Sequence, residues 1–117
     1  KLHQTVINSA FPSVRCELAS DGAQAVALFT TLHPLVIMMD IVMPNLDGEE
    51  AFYQIEEFGQ TTNWQPPRVV FCTGHSPSVG LRNVVASDPS NCLLQKPIRR
   101  RILITALSKR LNLRPLA

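Results

Sequence analysis

The chain has little charge and few residues that would mark a special environment. Only 17% of its 117 residues are charged, and the net charge is +2. That balance is too small to imply nucleic acid as a direct partner. It has three cysteines, Cys16, Cys72 and Cys92, each within an apolar segment and none in a C-x-x-C pair. The odd number and the missing pair exclude a disulfide framework and a zinc site as first readings. They favour reduced core thiols in a cytoplasmic setting. No apolar run reaches the ~18 residues of a membrane span. No signal-peptide pattern opens the sequence. His3, His33 and His75 are scattered without metal-ligand spacing. There are no repeats, low-complexity tracts or internal linkers, so residues 1–117 read as one domain. The 45% hydrophobic content is enough for a real core. The sequence begins at Lys1 already in a helix-like pattern and reads as N-terminally incomplete.

Strand and helix patterns alternate along the chain. Leu2, Val6 and Ala10 recur at helical spacing. Val14, Cys16 and Leu18 alternate with Arg15 and Glu17, which predicts a strand with one wet side. After the Asp21-Gly22 turn, Gly22, Ala23, Val26, Phe29 and Thr30 form a helical stripe ending before Pro34. Leu35 to Met39 is an apolar run, expected to be a strand buried on both faces. Glu49 and Glu50 favour a helix start, because carboxylates oppose the positive end of the helix dipole. Phe52, Ile55 and Phe58 supply that helix's inner face and Gly59 is its expected end, with Trp64 in the following loop as a lid. Arg68 to Thr73 is a further strand. Residues 76–88 are ambiguous, since Pro77 and Gly80 oppose the helix that Leu81, Val84 and Val85 support. Cys92 to Lys96 is a strand cut by Pro97. The stripe Ile98, Ile102, Leu103, Ala106, Leu107 and Leu111 closes the chain as a helix, with Ile104 off the stripe. Alternating strands and helices predict an α/β fold with a parallel sheet covered on both sides.

Three of the strands end in chemistry. Asp40, Thr73 and Lys96 follow successive apolar runs, and in a parallel sheet the carboxyl ends lie along one edge. An isolated Asp after a strand is more often a turn or cap residue. A carboxylate, a hydroxyl and an ammonium at one rim, however, form a phosphoryl-transfer set. The carboxylate attacks phosphorus, the lysine neutralises the transferring oxygens and the hydroxyl donates to one of them. Two anionic groups do not approach unaided, so Mg²⁺ is the expected cofactor.

With Met39-Asp40-Ile41-Val42-Met43-Pro44, Asp47-Gly48, Thr73-Gly74, Lys96-Pro97 and the helix start Asp21-Gly22-Ala23-Gln24-Ala25, the chain resembles a response regulator receiver domain. This is the phosphoacceptor module of two-component signalling, and the match runs from Lys1 to about Leu111. The resemblance implies a doubly wound, flavodoxin-like parallel sheet of strand order 2-1-3-4-5. It implies Asp40 as the phosphorylated residue, Thr73 as the switch hydroxyl and Lys96 as the phosphate partner. Asp40 and the backbone carbonyl of Val42 would ligate Mg²⁺. The family's first strand and its pair of metal-binding acids have no counterpart in the chain, so the remaining acidic ligands are expected upstream of Lys1. Leu93 stands where the family usually has Tyr or Phe, so no ring turns at that position. The implied donor is a phosphohistidine-bearing kinase or phosphotransfer protein. The implied reader is an output domain, or a homodimer through the last helix. The parent could be a hybrid histidine kinase or carry an output enzyme.

Two rivals have sequence arguments. An Asp-nucleophile phosphatase places a second acid two residues after the nucleophile, and Val42 occupies that place. A phosphorylation-independent receiver-like scaffold is favoured by the missing acids and by Leu93, and opposed by Asp40, Thr73 and Lys96. Six of the eleven basic residues, Arg99, Arg100, Arg101, Lys109, Arg110 and Arg114, fall in the last nineteen positions. They read as a solvated helix face and tail, or else as a docking surface for an acidic partner.

Overall fold

The computed structural model describes residues 2–14, 21–41, 48–65, 67–74 and 77–116. Their elements run α1 (Leu2–Ala10), α2 (Gly22–Leu32), β1 (Val36–Asp40), α3 (Gly48–Thr62), β2 (Arg68–Thr73), α4 (Val79–Ser87), β3 (Cys92–Gln95) and α5 (Arg100–Leu111). The three strands form a parallel sheet in the order β1-β2-β3. Val36 to Asp40 pair with Arg68 to Cys72, and Val70 to Thr73 pair with Cys92 to Gln95.

Strand alternation sorts the core into two layers. Met39, Val69 and Phe71 face α2, α3 and α4, packing with Ala25, Phe29, Ala51, Phe52, Ile55 and Leu81. Val70 and Cys72 face α1 and α5, packing with Ile7, Ala10, Phe11, Leu103 and Leu107. Each large buried side chain, Phe29 or Phe71 for example, contributes about 1.5–3 kcal/mol. The strand buried on both faces is β2, where Val69 to Thr73 are all buried. In β1 only Met39 is fully buried, because β1 is an outer strand of the described sheet. The expectation of full burial for the 35–39 run therefore holds for the next strand rather than this one.

Local signals explain most helix ends. Asp21 caps α2 by accepting from the Gln24 N–H at 2.8 Å, and His33 closes that helix in the left-handed region at φ 48°. Helix α3 does not stop at Gly59. It continues to Thr62 and ends where Asn63 turns left-handed at φ 61°. The extension lets Trp64 fold back onto Phe58 and Phe29, edge to face, with centroids 5.0 and 6.1 Å away. The lid expected of Trp64 is thus present. In α2 the buried positions are Gly22, Ala25 and Phe29, while Ala23 is exposed. In α5 Ile102 faces solvent, Ile104 packs partly against the core and Arg110 is buried, each opposite to the stripe expected from spacing. The strand expected at 14–18 lies mostly outside the described residues. Val14 itself sits in a turn, its N–H donating to the Phe11 carbonyl at 3.0 Å.

Candidate functional site

The carboxyl edge of the sheet is set by register. Asp40 is level with Cys72, and the Ile41 N–H carries the ladder one step further to the Cys72 carbonyl at 3.1 Å. On the other side of β2 the Lys96 N–H donates to the Thr73 carbonyl at 2.6 Å. Asp40, Thr73 and Lys96 therefore leave three neighbouring strands within about one residue of the same level. β2 lies between the outer two, and the long Lys96 side chain crosses its end. Lys96 Nζ donates to Asp40 Oδ2 at 2.5 Å, joining residues 56 apart in sequence. Thr73 is buried at the end of the strand between them. The Lys96-Pro97 peptide bond that follows is cis.

The pair is open to solvent, with Lys96 38% and Asp40 41% exposed. A partner protein can reach it. Beneath it lies Cys72, a buried thiol, as its apolar segment predicts. Burial pushes this thiol up to about 11, Lys96 pulls it down, and Asp40 and Cys92 push it up further. It stays a neutral thiol at neutral pH and offers no competing nucleophile. Alternation in β2 puts it on the face opposite Thr73, and the register of β1 against β2 sets it level with Asp40.

Gly48 brings the start of α3 against this edge. Its N–H donates to the Ile41 carbonyl at 2.9 Å. A Cβ here would overlap the Asp40 carbonyl oxygen and come within 2.9 Å of Ile41 Cα. Leu93 is partly buried against the Met39 and Phe71 layer, where it packs as an ordinary core residue. Val42, Asp47 and His75 lie outside the described residues. Two grooves elsewhere, about 740 Å³ between β3 and α5 and about 410 Å³ between α3 and α4, do not include Asp40. Among the described residues no three His, Cys, Asp or Glu side chains are placed to hold a metal ion. Asp40 is a single carboxylate with one oxygen held by Lys96, so the described residues do not by themselves fit Mg²⁺.

The family model for the response regulator receiver domain matches residues 1–108. The chain belongs to this family. This receiver domain is 35% identical to the positive alginate biosynthesis regulatory protein of Pseudomonas aeruginosa over 91 residues, 78% of the chain. It spans only 34% of that regulator's length. Chemotaxis protein CheY of Halobacterium salinarum is 29% identical over 90 residues, 77% of this chain and 70% of that protein. Among solved structures, the signal receiver domain of a DNA-binding response regulator from Colwellia psychrerythraea superposes with a TM-score of 0.76 at 22% identity. That superposition covers 95% of this chain and 87% of that one. The receiver domain of a sensor histidine kinase from Pseudomonas aeruginosa, whose active-site cleft coordinates a magnesium ion, superposes with a TM-score of 0.69. It is 26% identical and the match covers 95% and 89% of the two chains. The receiver fold is thus the flavodoxin-like α/β arrangement expected, and the domain is one of two-component signalling. No helix among the described residues is long and apolar enough to cross a membrane.

Proposed function

We propose that the domain, residues 1–117 as a single unit, takes a phosphoryl group from a phosphohistidine donor onto Asp40. The observation that carries this reading is the Lys96–Asp40 contact at the sheet edge where Thr73 ends β2. An Asp40 carboxylate oxygen attacks phosphorus, and the phosphorus–nitrogen bond breaks. Its electron pair stays on the imidazole, which takes a proton from solvent. Lys96, already on the carboxylate, shifts its charge to the oxygens of the arriving group, and the Thr73 hydroxyl donates to one of them. The new dianion then moves Thr73 and repacks the surface around residues 76–104, where an output domain, the kinase or a second copy through α5 reads it. Cys72 and Cys92 are free thiols, in keeping with a reducing cytoplasmic setting.

Magnesium supplies charge neutralisation at such a site when it is bound. Asp40 would contribute one ligand and the Val42 carbonyl a second, and the remaining acids must come from outside the described residues. A second reading, a scaffold that binds partners without phosphorylation, is supported by Leu93 in place of a ring.

The test exposes the full-length protein to a phosphohistidine donor with Mg²⁺. Phosphate labile to base should appear on the wild type and be absent from Asp40→Asn. No label on Asp40, together with partner binding that ignores the donor, supports the scaffold and overturns the phosphoacceptor reading.

A further inference from the structure

A second polar contact bridges the segments leaving the site. Glu49, in the first turn of α3, accepts from Ser78 Oγ through Oε1 at 2.6 Å and from the Tyr53 hydroxyl through Oε2 at 3.2 Å. Ser78 is the N-cap of α4, and the same Oγ accepts from the Leu81 N–H at 3.1 Å. One carboxylate thus holds the hydroxyl that caps the next helix. It sits at the N-termini of both α3 and α4, where two positive dipole ends favour an anion. Gly80 permits the approach: a Cβ there would lie 3.0 Å from Glu49 Oε2 and 3.2 Å from the Tyr53 oxygen. Burial, then the hydrogen bond to Glu49 and its charge, push the Tyr53 hydroxyl up, so it remains a donor.

The place of this network in the chain gives it meaning. Glu49 follows Gly48, which is bound to Ile41 beside Asp40. Ser78 follows Thr73 by five residues. We propose that Glu49 is a positioning residue, a latch that holds the start of α4 in its resting place and lets go when Thr73 is drawn toward a phosphorylated Asp40. The inference rests on the phosphoacceptor reading. Helix α4 is anchored by Leu81, which is fully buried, whereas the Ser78–Glu49 bond is exposed and water can replace it. A pull on the Ser78 end of α4 therefore falls on the latch rather than on the helix body. Every bond held only in the resting state opposes phosphorylation by its own free energy, and its removal shifts the equilibrium toward the phosphorylated arrangement.

The experiment uses the full-length protein with beryllium fluoride and Mg²⁺ as the acyl-phosphate mimic, and follows exchange of the Leu81 amide. In the wild type, protection of Leu81 should fall when the mimic binds. In Glu49→Ala, protection should already be low without the mimic, and the mimic should bind roughly threefold to tenfold more tightly, as the loss of one exposed, charge-assisted hydrogen bond implies. Tyr53→Phe should give a smaller shift in the same direction, and Ser78→Thr, which keeps both hydroxyl contacts, should behave as wild type. Glu57→Ala, an acid on the same helix away from the latch, controls for net charge and should change nothing. If the wild type binds the mimic while Glu49→Ala matches it in protection and affinity, the latch is wrong and the phosphoacceptor reading survives. If the wild type takes neither the mimic nor a phosphoryl group, both are overturned.

Discussion

Replacing Lys96 by methionine should separate the two roles an ion pair can have. The partners are 38% and 41% exposed, so water screens their attraction and holding two flexible side chains together costs entropy. Exposed pairs of this kind are worth up to about 1 kcal/mol. The backbone bond from Lys96 N–H to the Thr73 carbonyl survives the substitution, because it does not involve the side chain. The methionine stem also keeps most of the lysine's contact area. Lys96→Met should therefore lower unfolding free energy by less than about 1 kcal/mol, a shift of a few degrees at most in Tm. Phosphoryl transfer is a different case. There the ammonium meets charge that develops on the transferring oxygens, and the loss of one such preorganised group slows a reaction roughly 10²- to 10³-fold. Lys96→Arg keeps the charge but changes its shape and reach, and should fall between the two. The assays are urea denaturation and the rate of label transfer from a phosphohistidine donor, both on the full-length protein. A Lys96→Met protein that loses more than about 2 kcal/mol yet transfers label at the wild-type rate would show that the contact is architectural and not a catalytic one.

Gly48→Ala should destabilise the domain by about 1–3 kcal/mol and slow phosphorylation, since its methyl must displace the Asp40 carbonyl, and denaturation with the same label-transfer assay reads both. Asp88 accepts from the Ser90 hydroxyl at 2.7 Å and the Ser90 N–H at 3.0 Å, and these bonds, the side-chain one first, hold its carboxyl below the usual range. The stabilisation it gives is complete above the unfolded value near pH 4 and is lost as pH falls through the lower folded value, so Asp88→Asn should flatten the acid limb of a stability–pH profile. Arg110→Met should cost about 2–4 kcal/mol in urea denaturation while leaving label transfer unchanged, because Arg110 clamps the far edge of the sheet rather than the site.

Most elements were legible from their period, with α4 left ambiguous by Pro77 and Gly80, and the meeting of Asp40 with Lys96 followed from one rule, that parallel strands end together. What failed was phase. Spacing alone placed Ile102 inside α5 and Arg110 outside, and the packing reversed both. The reason is local to the neighbour. The turn before β3 presents the Pro89 and Ser90 carbonyls, and a guanidinium satisfies them where an aliphatic side chain could not. No pattern within α5 carries that information. The end of α3 failed for a similar reason, since Gly59 is the stronger stop signal but the Phe29–Phe58–Trp64 contact requires the extra turn. The Glu49 latch was invisible because it depends on the close approach of two helices at Gly80.

The two edges of the sheet are held by different physics, and the difference suits a switch. At the amino edge the buried Asn91 side chain accepts from the Val69 N–H at 2.8 Å. Arg110 binds the Ser90 and Ala106 carbonyls at 2.9 and 3.0 Å, and Arg68 binds the Arg110 carbonyl. These bonds are buried or half-buried, so water cannot replace them cheaply, and removing one partner leaves the other stranded. At the carboxyl edge the side-chain contacts from Lys96 to Asp40 and from Ser78 to Glu49 are exposed and exchangeable. A dianion added at Asp40 therefore acts where the structure is softest, while the opposite edge keeps the strands in register. On the phosphoacceptor reading, motion then goes into the starts of α3 and α4 instead of dissipating through the sheet. Amide exchange should show this asymmetry before any phosphoryl group arrives, with Val69 and Cys92 far slower than Leu81. Uniform protection across both edges would remove the mechanical basis for a switch at this site.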